Sequence, residues 1–431
     1  MQKTKLSTRF TLALVIFSLV GQVAWVVENM YLNVFIYKMF HATAEQISFM
    51  VSASAVTATV TTLLIGALSD KLGRRKVFIC AGYILWGVSI FFFGLIRTDS
   101  PLLPVTTAAP MTMALCIHLT IALDCIMTFF GSSANDACFN AWLTDATDET
   151  NRGSAEGINA MMPLLAILVV FGGFMGMDQS KAEDWTLIFS IIGAVVIAMG
   201  IAGFFLIRDT GIRTAENRNY FSNIFYGFRP SVIRANKPLY MTLALLAIFN
   251  ISIQIFMPYL ILYYTESLGL TDYVLIFAPA IILSAVFTAL YGQVYDKFGF
   301  KTAIWPTLAL LTVGYILLYF VRHTALVFIA SLIMMCGYIG TGAIIGALIR
   351  DRTPANKAGM FQGLRIVGQV LIPGVIGPAI GAAVLRNADQ VLNSDGTYSF
   401  IPNENIFLAA LIAIVATLPV LIPLFKMLKK K

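Results

Sequence analysis

Long apolar runs recur from one end of this chain to the other, and they restrict its fold more than any other feature. A run of about 18 residues or more is the length a helix needs to cross the hydrocarbon core of a bilayer. Inside lipid every backbone N–H and C=O must be bonded within the protein, so helices are the expected spanning element. Twelve spans are predicted, at 9–38, 46–69, 77–97, 110–143, 156–177, 185–207, 239–265, 273–295, 302–321, 325–349, 358–385 and 406–427. Several exceed the crossing length, so tilt or protrusion is expected. Only 12% of residues are charged and 58% are hydrophobic. A water-soluble chain carries about a quarter charged residues, so most of this surface has to face lipid.

The net charge of +7 follows from topology rather than from a nucleic-acid partner, which is not expected. With the N-terminus inside, the outer loops hold only Lys38, Arg97, Lys181, Arg322 and Arg386, and Arg365 lies within the eleventh span. The rest of the 29 lysines and arginines fall on the inner side, which predicts both termini in the cytoplasm. The five cysteines, Cys80, Cys116, Cys125, Cys138 and Cys336, all sit in predicted spans and read as apolar fillers rather than a disulfide framework. MQKTKLSTRF runs into the first span without a small-residue cleavage site, so a retained helix is expected and not a signal peptide. The outer loops are short and carry no Asn-x-Ser/Thr acceptor, so no extracellular domain is expected.

Charge is concentrated in GALSDKLGRRK (66–76), after the second span, and GQVYDKFGFK (292–301), after the eighth, is a partial copy. Gly66, Asp70, Lys71 and Gly73 align with Gly292, Asp296, Lys297 and Gly299. DATDETNRGSAEG (145–157) and DRTPANKAGMFQG (351–363) form a second pair, matching Asp145, Thr147, Gly153 and Gly157 to Asp351, Thr353, Gly359 and Gly363. The chain therefore reads as a duplication: a six-helix bundle at 1–207, a cytoplasmic loop at 208–238 and a second six-helix bundle at 239–431. The glycines permit close approach and a tight turn. Asp70 can pair with Arg74 or Arg75, or stand at a helix N-terminus where the dipole favours an anion.

Gly-x-x-x-Asp-Lys-x-Gly-Arg-Arg-Lys after the second span, echoed after the eighth, resembles the loop signature of the major facilitator superfamily, whose two halves are related by an axis along the membrane normal. The likeness extends to span number, orientation and central loop. It implies an all-α membrane fold of two pseudo-symmetric bundles and a charge latch between halves that makes and breaks as the carrier alternates. Asp145, Asp351 and the signature residues would belong to that gating apparatus. Phe300 stands where the first copy has Arg74, so the N-terminal latch should be the stronger.

An ionisable group near the bilayer centre is costly and is a functional candidate by default. Glu28 lies roughly 15 Å from the outer end of the first span. At 100° per residue it shares a face with Gly21, Trp25 and Leu32, flanked by Ser18, Gln22 and Asn29. In the fourth span Asp124 lies on a stripe with Thr120, Thr128, Gly131, Asn135 and Trp142, while His118 and Asp136 project about 120° away. His118 reads as a helix-packing histidine. Arg365, with Gln362 and Gln369, is shallow enough to snorkel, as an inner gate paired with Asp136, Asp145 or Asp351 or as a substrate or coupling residue. In the seventh span Asn250 and Gln254 share a face running through Met257 toward Tyr264, with a kink expected at Pro258. Tyr338 and Thr341 stand among glycines in the tenth.

The resemblance places helices 1, 4, 7 and 10 around a central cavity, and with them both acids. A carboxyl in an apolar or like-charged setting can exchange a proton near neutral pH, which proton coupling requires. Ionised, the pair could instead hold Na⁺ or substrate hydroxyls. Facing amides, hydroxyls and aromatic rings suit a sugar-like solute. Within the superfamily the chain resembles the glycoside–pentoside–hexuronide cation symporters, whose acids in helices 1 and 4 and basic residue in helix 11 are met by Glu28, Asp124 and Arg365. Their acidic pair in helix 2 has no counterpart in QISFMVSASAVTATVTTLLIGAL, which favours a proton over sodium. A proton-driven efflux antiporter is the alternative, although the helix-4 arginine and helix-5 Gly-Pro motif of such carriers are missing. A lipid flippase or a transporter-like sensor fits less well. No metal cluster, Gly-x-Ser-x-Gly or phosphate loop suggests an enzyme, and no cofactor beyond the coupling ion is expected. The reading is a monomeric, proton-coupled carrier of a small polar solute in a prokaryotic plasma membrane.

Overall fold

The computed structural model describes residues 6–99, 111–147, 151–209, 228–353, 364–393 and 395–428. Among them are twelve helices long and apolar enough to cross a membrane. Helices 1 to 6 are Thr8–Phe40, Ala44–Leu72, Lys76–Phe93, Met113–Asp145, Gly157–Phe174 and Ala182–Leu206. Helices 7 to 12 are Lys237–Ser267, Val274–Phe298, Phe300–Phe320, Thr324–Arg352, Leu364–Leu385 and Asn405–Met427. A short helix, Pro230–Ala235, precedes helix 7. Much of the predicted central loop (210–227), with Gln362, Gly359 and Gly363, lies outside the described residues, as does the side-chain environment at Gly153.

The chain divides into two compact units, Met1–Ala42 with Val56–Ser222, and Thr43–Ala55 with Asn223–Lys431. In the first, helix 3 packs along helix 6, and helix 1 against helices 5 and 6. Aromatic rings fill the centre: Phe35 meets Phe189 at 5.0 Å and Trp185 at 5.3 Å, and Phe17 meets Tyr83 at 5.0 Å. Such edge-to-face pairs bury large apolar area with favourable quadrupole geometry. In the second unit, helix 10 packs on helices 8 and 9, and helix 7 on helices 11 and 12. Ser252 of helix 7 there contacts the Tyr315 hydroxyl at 2.9 Å and donates to the Ala410 carbonyl at 2.9 Å, so its buried hydroxyl is satisfied. The first turns of helix 2 join this unit, where the Tyr259 hydroxyl donates to the Ala44 carbonyl at 2.9 Å and Ser52 to the Gly374 carbonyl at 3.3 Å.

Two features depart from regular spans. Helices 1, 4, 7 and 11 each contain a stretch with i→i+5 bonding, at Val27–Tyr31, Ser132–Phe139, Tyr263–Ser267 and Val367–Leu371. Such π-helical turns are uncommon and concentrate at functional positions. Helix 7 also tightens into a 3₁₀ turn, Met257–Tyr259, around Pro258, where the proline lacks an N–H to continue the ladder. The expectation of purely helical structure needs one addition. Gln390–Leu392 and Tyr398–Phe400 pair as an antiparallel hairpin between helices 11 and 12, with Asp395-Gly396 at its tip and Gly396 at φ 83°. The Asp-Gly pair and the flanking β-branched and aromatic residues carry that signal.

Candidate substrate and coupling site

Glu28 lies in the π-helical turn of helix 1, next after Val27, and is 7% exposed. Thr128 of helix 4, fully buried, donates its hydroxyl to Glu28 Oε1 at 2.9 Å. Asp124, 1% exposed, stands one turn from Thr128 on the same helix. Thr128 thus ties helix 4 to Glu28 one turn from Asp124, and a carboxylate that accepts a hydroxyl hydrogen bond here avoids part of the cost of burial. A crevice of 10 Å³ lined by Val27, Glu28, Leu32, Ile90, Phe93, Met127 and Phe189 lies beside the pair.

Aromatic residues wall the same region. The Trp25 ring lies 4.9 Å from Trp86 and Tyr83 lies 5.5 Å from Trp86. A Cβ on Gly131 would stand 2.7 Å from Trp86 Cε2 and 3.0 Å from Trp25, so glycine is required there for the rings to close over helix 4. The indole N–H groups of Trp25 and Trp86 are buried without a hydrogen-bond partner among the described residues. Asn135 donates to the Tyr83 hydroxyl at 2.7 Å, which donates to the Phe17 carbonyl at 2.8 Å. Gln22 is half-buried, and Asn29 is exposed with its amide bonded to the Trp25 carbonyl at 2.8 Å.

In the second unit Asn250 and Gln254 lie half-buried on helix 7, and Gly377 of helix 11 packs directly on Gln254. Tyr338 stacks on Phe249 at 6.2 Å, and Thr341 is fully buried. Asn250 Nδ2 and Thr341 Oγ1 have no hydrogen-bond partner among the described residues. Buried polar atoms without partners are uncommon in native proteins, and a ligand is one of the groups that satisfies them. Arg365 is half-buried, with Nε donating to Gln369 at 3.1 Å.

The signature loop builds a tight ion cluster. Arg75, 5% exposed, pairs with Asp70 and with Asp145 at 3.1 Å, and donates to Ser69 Oγ at 2.5 Å. Burial works against the guanidinium charge, but the carboxylates of Asp70 and Asp145 outweigh it, so the Arg75 pKa rises. Asp209, not singled out by sequence, accepts from the backbone N–H groups of Arg75 at 3.0 Å and Lys76 at 2.9 Å. It is Asp209, rather than Asp70, that stands at the N-terminus of helix 3, where orphan N–H groups and the dipole favour an anion. Arg74 is exposed. In the second copy, Tyr295 replaces Ser69 and donates to Asp351 at 2.7 Å, while Asp296 is exposed and Lys297 lies over the Phe298 ring at 5.3 Å. Gly73 and Gly299 have φ of 62° and 75°, a backbone conformation that favours glycine. Gly66 has no such need, because an added Cβ would meet Ala137 at an ordinary 3.7 Å.

Two expectations are corrected. His118 is exposed on helix 4, not packed within it. Asp145, one of the three acids considered for Arg365, pairs with Arg75 in the signature cluster. The 120° offset of Asp136 assumed an unbroken α-helix, and the π-helical turn Ser132–Phe139 changes that register. A run of small polar residues, SSAND, was the available signal.

Twelve spans in two units with acids and aromatics buried inside the bundles define a multi-pass membrane carrier. The chain belongs to the Major Facilitator Superfamily, whose family model it matches over residues 11–378. It resembles the solved nucleoside transporter NupG at 13% identity and a TM-score of 0.67, covering 97% of this chain and 99% of that one. The xylose transporter XylE from E. coli is 12% identical with a TM-score of 0.69, over 97% and 99% of the two chains. A D-xylose–proton symporter is 14% identical with a TM-score of 0.71, over 95% and 97%. A comparison with curated sequences finds no match. The protein is a secondary transporter and not an enzyme.

Proposed function

We propose that the protein takes up a small hydroxylated solute, a sugar or sugar-bearing molecule, by proton-coupled symport. Two six-helix halves divided at 208–238 alternate access to a midplane site in a prokaryotic plasma membrane. The observation that carries the reading is the Glu28–Thr128 hydrogen bond beside Asp124, which makes one coupled acidic site from helices 1 and 4. Glu28 and Asp124 exchange the proton. Trp25 and Trp86 offer indole N–H donors, and Asn250 and Thr341 offer further polar atoms, for solute hydroxyls. Gln22, Asn29, Thr128, Asn135, Gln254 and Tyr338 are the remaining candidate contacts. The names of two similar structures agree in chemistry, since a nucleoside carries a pentose and xylose is one.

The test is uptake of radiolabelled xylose, a galactoside and uridine into proteoliposomes, with and without a pH gradient, for wild type, Asp124→Asn and Glu28→Gln. Wild type should accumulate at least one of these solutes when the gradient is imposed. Asp124→Asn should keep exchange but lose accumulation, a loss of about a hundredfold if it carries the proton. If none of them moves and a lipophilic dye is extruded against the gradient, the efflux antiporter takes the place of the symporter.

A further inference from the structure

Helix 4 carries a polar residue at every fourth position from Thr120 to Thr144: Thr120, Asp124, Thr128, Ser132, Asp136, Asn140 and Thr144. In an unbroken α-helix each such step drifts about 40° around the axis, and the column would wind away from Asp124. Here Ser132–Phe139 is π-helical. With i→i+5 bonding a turn holds more than four residues, so a four-residue step falls short of a full turn and the drift reverses. Counting roughly 80° per residue through that segment, Asp136 lies about 50° from the face of Asp124 instead of about 120°.

The contacts follow the column. Thr128 donates to Glu28 at 2.9 Å, and Ser132 donates to Asp136 Oδ2 at 3.0 Å. Asn140 donates to the Asp136 carbonyl at 3.2 Å and Thr144 to the Asn140 carbonyl at 3.1 Å. Asp136 is half-buried, and among the described residues no lysine, arginine or histidine forms an ion pair with it. The titratable group set against it from helix 3 is Tyr83, whose hydroxyl is already engaged with Asn135 and Phe17. The cationic cluster on Arg75 faces Asp70 and Asp145 instead. An acid held at membrane depth by one serine, without a cationic partner, is costly to keep for packing alone.

We infer that Asp136 is a proton relay between the Glu28–Asp124 site and the side of the membrane on which the signature loops lie. The inference rests on the symport reading. A proton leaves the carboxyl of Asp124, passes along the Thr128 and Ser132 hydroxyls and bridging water, and protonates the Asp136 carboxylate. Each hydroxyl receives one proton and gives one, Asp124 is left ionised, and Asp136 releases its proton to the aqueous phase. The rungs are about 6 Å apart, a gap that one water spans. Asp136 touches no solute in this scheme, so it positions and passes the proton without selecting the cargo.

The experiment measures xylose, galactoside and uridine uptake in proteoliposomes while the pH on each side is varied separately, for wild type, Asp136→Asn, Asp136→Glu and Ser132→Ala. Asp136→Asn should slow gradient-driven accumulation about tenfold or more while leaving exchange at equal pH within about twofold. Its rate should lose dependence on pH at the signature-loop side and keep it at the other, and Asp136→Glu should restore both. Should Asp136→Asn fail to fold, Ser132→Ala, which keeps the carboxyl and removes its hydrogen bond, should displace the same side's pH profile alone. Unchanged profiles on both sides in Asp136→Asn, or in Ser132→Ala where only that variant folds, overturn the relay. So does loss of exchange in Asp136→Asn and Asp136→Glu alike. A wild type that ignores the pH gradient overturns the symport reading and the relay with it, whereas a coupled wild type matched by Asp136→Asn overturns the relay alone.

Discussion

Gly131 shows how one missing side chain shapes a site. Its hydrogen occupies the space in which the Trp25 and Trp86 rings close over helix 4, and any Cβ would stand 2.7 Å from the Trp86 ring. Gly131→Val should cost about 1–3 kcal/mol through overpacking, read as a lower melting point in detergent. It should also turn Trp25 outward and weaken solute binding. Arg75 is the opposite case, a side chain with more partners than any neighbour could supply. Arg75→Lys keeps the charge but cannot reach Asp70, Asp145 and Ser69 together with a planar fork, so it should destabilise nearly as much as Arg75→Ala, by roughly 2 kcal/mol. A lysine variant as stable as wild type would mean that charge alone matters at this corner. Glu28, Asp124 and Thr128 were legible because charge and hydroxyls at membrane depth stand out against an apolar background. Asp209 was not, since nothing in RDTGIRT announces that its carboxylate folds back onto a helix more than a hundred residues earlier.

At the scale of elements, the span limits were readable because length and hydropathy decide them, and they agree with the structure to within a few residues at most ends. The faces were readable only as far as the helices stayed regular. Up to Gly131 the 100° wheel sorts helix 4 correctly, with Thr120, Asp124 and Thr128 buried and His118 outside. Beyond it the π-helical turn shifts the register, so a wheel drawn from sequence overstates the angle between Asp136 and Asp124. Helix 3 depends on an element not adjacent in sequence for its start, because Asp209 supplies the acceptor for two of its first N–H groups. Asp209→Ala should therefore lower stability by about 1 kcal/mol, with hydrogen exchange accelerated at the first turn of helix 3 and little change elsewhere.

For the whole molecule, large side chains such as Phe205, Phe320, Ile412 and Phe49 lie outward with exposures of 75%, 73%, 67% and 63%, as lipid contact requires. The charge bias predicts which way the chain is threaded. With the native cysteines replaced, a membrane-impermeant thiol reagent should label a cysteine at Lys181 or Arg322 in intact cells. One at Lys71 or Lys297 should react only after the membrane is opened. The reverse pattern would invert the topology and, with it, the side to which Asp136 releases its proton. The twofold architecture was visible in the paired loops because both copies kept their glycines at positive φ, while the unequal chemistry of the copies was not. Ser69 with Arg75 in one and Tyr295 in the other hold the matching acids, Asp145 and Asp351, by different means.

The π-helical turns have a consequence for ancestry. A segment with i→i+5 bonding is what an α-helix becomes when a single residue is inserted and the surrounding packing resists a shift of everything downstream. Helix 4 would then descend from a helix one residue shorter, in which the residue now at Asp136 looked elsewhere. Aligned relatives should show one-residue gaps within 132–139, and those with the gap should lack an acid at this rung. The polar residues beyond Thr128 would in that case have been brought into line with Asp124 by one insertion, rather than by substitution at each of their positions.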